Sequence, residues 1–392
     1  MGLNRELDGL LVVSLEQAVA APYCGLLLAD SGARVIKVER REGDFARGYD
    51  TGAGGQSSFF AWLNRGKESI CLDLNADDDR ALLENLLLDA DVLLSNLAPG
   101  ALARKGLTGA ALRKSNPGLI TCAISGYGGT GEGADKKAYD FLVQAESGLC
   151  SVTGTPDGPA RVGISITDIS TGLTAYSAIL RALIQRGKTG VGIDLDIAMF
   201  DVMADWMNMP LMGHRYLGGA PARLGLTHAS IAPYGAFAAG DGTQILLAIQ
   251  NEREWVAFCD SVLELPGLAR ETRFADNASR VRNLAALTTI INAQFAGLSG
   301  DALSARLETA RIATARLNSV AQLSEHSALR NLSVRFGEAE VQVADLPVKT
   351  DGARARNVPL LDQHGAAIRA EYSRATAEGA GPPQMPQPEP TL

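Results

Sequence analysis

The feature that most restricts the fold of this chain is an alternation in its first half between short β-branched, aliphatic runs and longer stretches with apolar residues at helical spacing. The runs are GLLVVSL (9–15), ARVIKVE (33–39), SICLDL (69–74), DVLLSNL (91–97) and GLITCAIS (118–125), and helical patterns fill 18–31, 76–90 and 100–115 between them. Parallel neighbours need a long crossover, and a crossover helix covers a sheet face, so near-continuous apolar strands separated by helices predict a parallel sheet. The expected class is α/β, with an open Rossmann-like parallel sheet that takes ligands beyond the carboxyl ends of its strands.

Further along, Ile169, Leu173, Tyr176, Ile179, Leu180, Leu183 and Ile184 recur at intervals of three and four, and RGKTGVG (186–192) supplies a glycine-rich stop. A helix is expected with Asp168 at its start, where an aspartate is a preferred N-cap. The methionine- and tryptophan-containing stretch 193–224 suits packed helices or a domain connection. Residues 233–255 read as a hairpin around Asp241-Gly242 followed by a helix, and helical patterns continue to about 326. This second part is expected to be a smaller α+β domain. The proline-rich stretch from Gly379, GAGPPQMPQPEPTL, has too few apolar residues to pack and is expected to be flexible or draped on a surface.

Several function classes are disfavoured by composition. With 46% hydrophobic and 20% charged residues, the 392-residue chain can bury the cores of two domains, while a formal net charge of −8 disfavours general binding to nucleic acid or anionic membrane. The start, MGLNRELDGLLVVSL, lacks the basic and apolar regions of a secretory signal, and no apolar run is long enough to span a bilayer. The cysteines Cys24, Cys71, Cys122, Cys150 and Cys259 form no CxxC pair, and His214, His228, His326 and His364 are dispersed. A reduced cytoplasmic location without a metal site is expected.

Six runs in order, GARVIKVER (32–40), NRGKESICLDL (64–74), NLAPGALARKGL (96–107), NPGLITCAISGYG (116–128), KAYDFLVQAESGL (137–149) and TDISTGLTAY (167–176), carry a resemblance to a known family. Together they resemble the class III CoA-transferases, which include formyl-CoA transferase and are related to α-methylacyl-CoA racemase. The resemblance implies a large CoA-binding domain from 1–200 and 330–392, a linker at 200–225, a small domain at 225–330, and an interlocked homodimer. It also implies an acyl-CoA and a small carboxylic acid as partners, with coenzyme A as substrate and no permanently bound cofactor.

CoA offers phosphates and a long apolar arm. By resemblance Arg40, Arg104 and Lys137 are the basic residues that bind it, with Leu72, Asn96 and Leu97 along the strand ends. Arginine suits phosphate because its planar fork donates two hydrogen bonds at once. Asp168, ahead of the STG turn, resembles the family's nucleophile, and a helix start would hold such a carboxylate ionised. Gly172 or Gly218-Gly219 are candidates to stabilise an oxyanion, although ordinary turns explain them equally well. Tyr139 stands where the racemase has an acid/base histidine. Tyrosine ordinarily titrates near ~10, too high to shuttle protons well at neutral pH, so transfer is favoured over 2-methylacyl-CoA isomerisation, and the presence of Asp168 argues against noncatalytic CoA binding.

The chain departs from formyl-CoA transferase at AVAAP (18–22), where Val19 replaces that enzyme's glutamine, and at AIQNEREW (248–255), which replaces a glycine-rich loop. By overall resemblance the acids expected are small dicarboxylates, with succinyl-CoA or a C5 dicarboxylyl-CoA as donor. Arg47, Arg65, Arg215 and Arg223 are the arginines available to pair a second carboxylate, and His228 is a loop residue expected to bond locally.

Overall fold

The computed structural model describes Leu3, residues 5–349 and residues 354–373; the proline-rich stretch from Gly379 lies outside them. The chain divides into two compact units, one from Met1–Ser147, Gly163–Trp206 and Arg330–Leu392, the other from Gly148–Val162 and Met207–Leu329.

The first unit is built on six parallel strands. These are β1 (Leu11–Leu15), β2 (Arg34–Glu39), β3 (Lys67–Cys71), β4 (Val92–Ser95), β5 (Ile120–Ser125) and β6 (Asp194–Ala198), in the order β3-β2-β1-β4-β5-β6. Five were expected. The sixth lies within 193–224, where its Asp194 and Asp196 disguise a short strand that reads DLDIA. Its register is fixed from outside, since Asp194 pairs with Arg113 and faces Thr121 of β5.

Helices α1 (Ala20–Asp30), α2 (Ser58–Asn64), α3 (Asp77–Asp89), α4 (Asp140–Glu146), α5 (Ile166–Thr189) and α6 (Met199–Trp206) complete the layers. Leu82, Leu83, Leu86 and Leu87 of α3 pack on Val13, Ile36, Ile70 and Leu93 of the strands. The pattern at 100–115 yields only two short pieces, Ala103–Lys105 and Gly109–Leu112, because Gly106 takes φ 78° between them.

The last part of the chain returns to this unit as β7 (Asn331–Phe336), β8 (Ala339–Ala344), β9 (Asn357–Val358) and α7 (Gly365–Tyr372). Phe336 stacks on Phe60 of α2 at 5.7 Å, and Arg34 of β2 holds Glu371 of α7 at 2.7 Å.

In the second unit Tyr234–Ala238 and Gln244–Ala248 form the hairpin around Asp241-Gly242, extended by Ala313–Arg316. The part of the expected linker from Met207 onward belongs to this unit and holds the helix Asn208–Tyr216. Residues 148–162, expected with the large domain, also group here.

Candidate active site

At the carboxyl ends of the strands, where the order reverses between β1 and β4, the first unit opens a cleft of about 390 Å³. Its lining includes Leu15, Gln17, Arg40, Asp44, Leu72 and Leu97. The walls are held from below by a buried charge quartet. Lys37 of β2 bonds Asp44 at 2.9 Å and reaches Glu16, while Lys67 of β3 contacts Glu16, the Pro22 carbonyl at 2.9 Å and Asn64 at 3.0 Å. Two cations face two carboxylates, so the set is balanced. Burial brings Lys67 down to about 8 against the pull of Glu16, with the Lys37 charge alongside. The Asp44 carboxylate also takes the amide of Ala18, a non-glycine residue at φ 63° in the loop after β1.

Asp168 lies in the first turn of α5, three positions after the N-cap Ser165. It is not the cap. That task falls to Asp140, the first residue of α4, whose Oδ1 accepts the backbone amides of Thr167 at 2.8 Å and Asp168 at 3.2 Å. The other oxygen of Asp140 accepts Gln144 Nε2 at 2.6 Å. Among the described residues no protein hydrogen bond is made to the half-buried Asp168 carboxylate. Burial, reinforced by the Asp140 charge, pushes Asp168 up to about 7. Desolvation and a like charge thus outweigh the helix start that was expected to keep it ionised.

Beside Asp168 stands an exposed aromatic cluster. Phe45 and Tyr49 lie 5.7 Å apart, Tyr49 meets Phe59 edge-on at 6.1 Å, and burial with the nearby charges of Asp44 and Asp168 pushes Tyr49 up to about 12. Tyr49 is 46% and Phe59 50% exposed.

Residues 7–365 match the family model described as CoA-transferase family III. The chain belongs to that family. The acetyl-CoA:oxalate CoA-transferase of Acetobacter aceti is 36% identical over 380 residues, covering 95% of this chain and 97% of that protein. The succinate–glutarate CoA-transferase of Agrobacterium fabrum is 34% identical, covering 94% of this chain and 96% of its own. A crystal structure of a CAIB/BAIF family protein from Brucella suis aligns with a TM-score of 0.84 at 35% identity, over 93% of this chain and 99% of that one. The protein is thus an enzyme, a CoA-transferase with coenzyme A as a substrate.

In this family III transferase part of the set expected to bind CoA, namely Arg40, Leu72 and Leu97, lines the cleft. Arg40 is exposed and spends its Nε on the Gly43 carbonyl at 3.0 Å. Arg104 is exposed after β4, with a 3.5 Å contact to the Pro99 carbonyl. Lys137 and Tyr139 are exposed in the segment leading to α4, and Tyr139 makes no side-chain cap bond. Asn96 is committed elsewhere: its amide donates to the Gln17 carbonyl at 2.8 Å and accepts the Gln17 amide at 2.9 Å. It therefore clamps the loop after β1.

Other expectations also change. Gly172 is inside α5, where an added Cβ would lie 2.4 Å from the Ala20 carbonyl of α1; it permits close helix packing and donates to no oxyanion. Gly218-Gly219 form an exposed turn in the second unit. Arg47 is held by Glu39 at 2.7 Å and Arg65 by Asp30 at 2.8 Å, so neither is available for a substrate carboxylate. Arg223 bonds the Thr155 carbonyl at 3.1 Å and the Ser151 carbonyl at 3.2 Å. His228 bonds locally, accepting the Ser230 amide and stacking on Tyr234. Sequence reasoning missed the role of Asp140 and Gln144, although their i, i+4 spacing on a helix was a visible sign that they act together.

Proposed function

We propose that this transferase, as a homodimer, exchanges CoA between an acyl-CoA and a small dicarboxylic acid through covalent intermediates on Asp168. The observation that carries the assignment is the half-buried Asp168 carboxylate, free of protein hydrogen bonds among the described residues and raised to about 7. A carboxylate that is poorly solvated and unpaired is a stronger nucleophile than one in water, and a perturbed group of this kind marks a reacting site.

The chemistry balances without ATP, metal or redox change. An oxygen of Asp168 attacks the thioester carbonyl, the C–S bond breaks, and the negative charge leaves on the CoA thiolate. The thiolate then attacks the aspartyl carbonyl of the mixed anhydride, releasing the donor acid and leaving an aspartyl thioester. The acceptor carboxylate reopens that thioester, and the returning thiolate takes the acceptor acyl group and frees Asp168. Each step keeps an activated acyl bond, so water must be excluded.

Dicarboxylic acids are supported by relatives whose names specify them: succinate–glutarate, succinyl-CoA:mesaconate and succinyl-CoA–D-citramalate transferases. We assign succinyl-CoA as donor and a C4 or C5 diacid as acceptor. The exposed Leu173 and Ile184 of α5 support an apolar face covered by a second chain.

Hydroxylamine added with succinyl-CoA and no acceptor should inactivate the enzyme and leave a hydroxamate at Asp168, detected by peptide mass. The same preparation should scatter light as two chains. A label on another carboxylate, or near wild-type exchange by a folded Asp168→Ser protein, refutes the assignment.

A further inference from the structure

Asp140 carries an inference that goes beyond the nucleophile and rests on the reading of Asp168 given above. Its carboxylate comes from a different helix, is anchored by the fully buried Gln144, and closes on the first turn of α5 through the amides of Thr167 and of Asp168 itself. A helix start needs a cap, but serine or asparagine would supply one without charge. Placing a second carboxylate against the nucleophile is costly when both are ionised, and the cost disappears when either is neutral.

We propose that Asp140 is a positioning residue that clamps the first turn of α5 and, through its charge, drives Asp168 toward its acylated forms. Acylation removes the negative charge from Asp168, first to the thiolate sulfur and then, in the aspartyl thioester, to the released donor carboxylate; protonation removes the same charge. Both reactions relieve the same repulsion, so the Asp140 charge favours both by the same factor. The groups that face Asp168 are Asp140 from α4 and Tyr49 from the segment after β2, with Tyr139 close to Tyr49. Of these Asp140 bonds the nucleophile's own backbone. The rise of Asp168 to about 7, caused by burial and then by Asp140, agrees with this geometry.

The experiment compares wild type, Asp140→Asn and Asp140→Glu, each with an added CoA-affinity measurement. Asparagine keeps an oxygen for the amides of Thr167 and Asp168, so those two bonds of the clamp are retained while the charge is lost. The pH dependence of hydroxylamine trapping gives the apparent pKa of Asp168, and mass spectrometry of the quenched enzyme gives the covalent fraction at pH 8. Asp140→Asn should lower the apparent pKa by about one unit and the covalent-to-free ratio about tenfold, with CoA affinity unchanged; Asp140→Glu should restore part of both. An unchanged pH limb, a limb that moves without the covalent ratio, or a loss confined to CoA affinity overturns the inference. Absence of any Asp168 label in wild type overturns instead the assignment of the nucleophile.

Discussion

Asp168 occupies the first turn of α5, where backbone amides ordinarily favour a negative charge by 0.3–1 kcal/mol. Here burial and Asp140 reverse the balance, and the sign of the resulting pH dependence follows. The folded pKa of about 7 exceeds the unfolded value of 3.8, so the folded state holds its proton more tightly. The penalty is absent below pH 4, grows as pH rises toward 7, and is complete above it. Asp168→Asn should therefore be more stable than wild type at pH 8, by roughly 1–3 kcal/mol once partial solvent access is allowed for, and no more stable at pH 4. Denaturant unfolding at the two pH values checks this; an equal difference at both would mean that the charge is not the cause. Wild-type exchange should for the same reason rise with pH through about 7. Asp168 was legible as a candidate through the resemblance of TDISTGLTAY (167–176) to the family's motif, whereas helix patterning alone pointed to a cap. Its partner was not legible, because Asp140 is brought to it by tertiary packing that no local pattern encodes. Asn96 illustrates the converse: the position was recognisable, but its amide is spent on the Gln17 backbone.

In the first unit α1 and α5 approach closely at Gly172. An added Cβ at Gly172 would meet the Ala20 carbonyl at 2.4 Å and Tyr23 at 3.1 Å, and a backbone atom cannot swing away as a side chain can. Gly172→Ala should cost about 1–3 kcal/mol despite the better helix propensity of alanine, with lower exchange because Asp168 is one turn away. A thermal melt at or above the wild-type midpoint would show that the helices have room to part. Elements with long apolar periodicity, such as α3 and α5, could be read from sequence because burial of one face dictates their pattern. The strand β6 could not, since its alternating aspartates look like a polar turn until Arg113 and β5 are in place. The helix expected at 100–115 fails for a local reason, the glycine at 106 in left-handed backbone.

At the level of the molecule, the first unit is assembled from three separated stretches of chain. The last stretch supplies part of its core: Leu332, Val334, Phe336 and Val358 pack with Phe60 and Ala61, and Arg369 of α7 reaches Asp79 of α3 at 2.6 Å. A chain ending at Leu329 keeps every residue of the cleft lining and Asp168, yet leaves the Phe60 face exposed. It should lose cooperative melting of the first unit and bind CoA at least tenfold more weakly; a truncated chain that melts and binds like the full one would refute the dependence. The resemblance had implied this return, whereas periodicity alone suggested two consecutive domains.

The discontinuity also sets a schedule for biosynthesis. When Trp206 leaves the ribosome the sheet has all six of its strands, but residues 207–329 must still be translated before Arg330–Phe336 can arrive. At 5–20 residues per second that interval is about 6–25 s, during which the face around Phe60 and Ala61 has no cover of its own chain. A nascent polypeptide in that state presents a sticky surface to whatever is nearby, so its yield in the cell should depend on chaperone supply more than the stability of the finished enzyme would suggest.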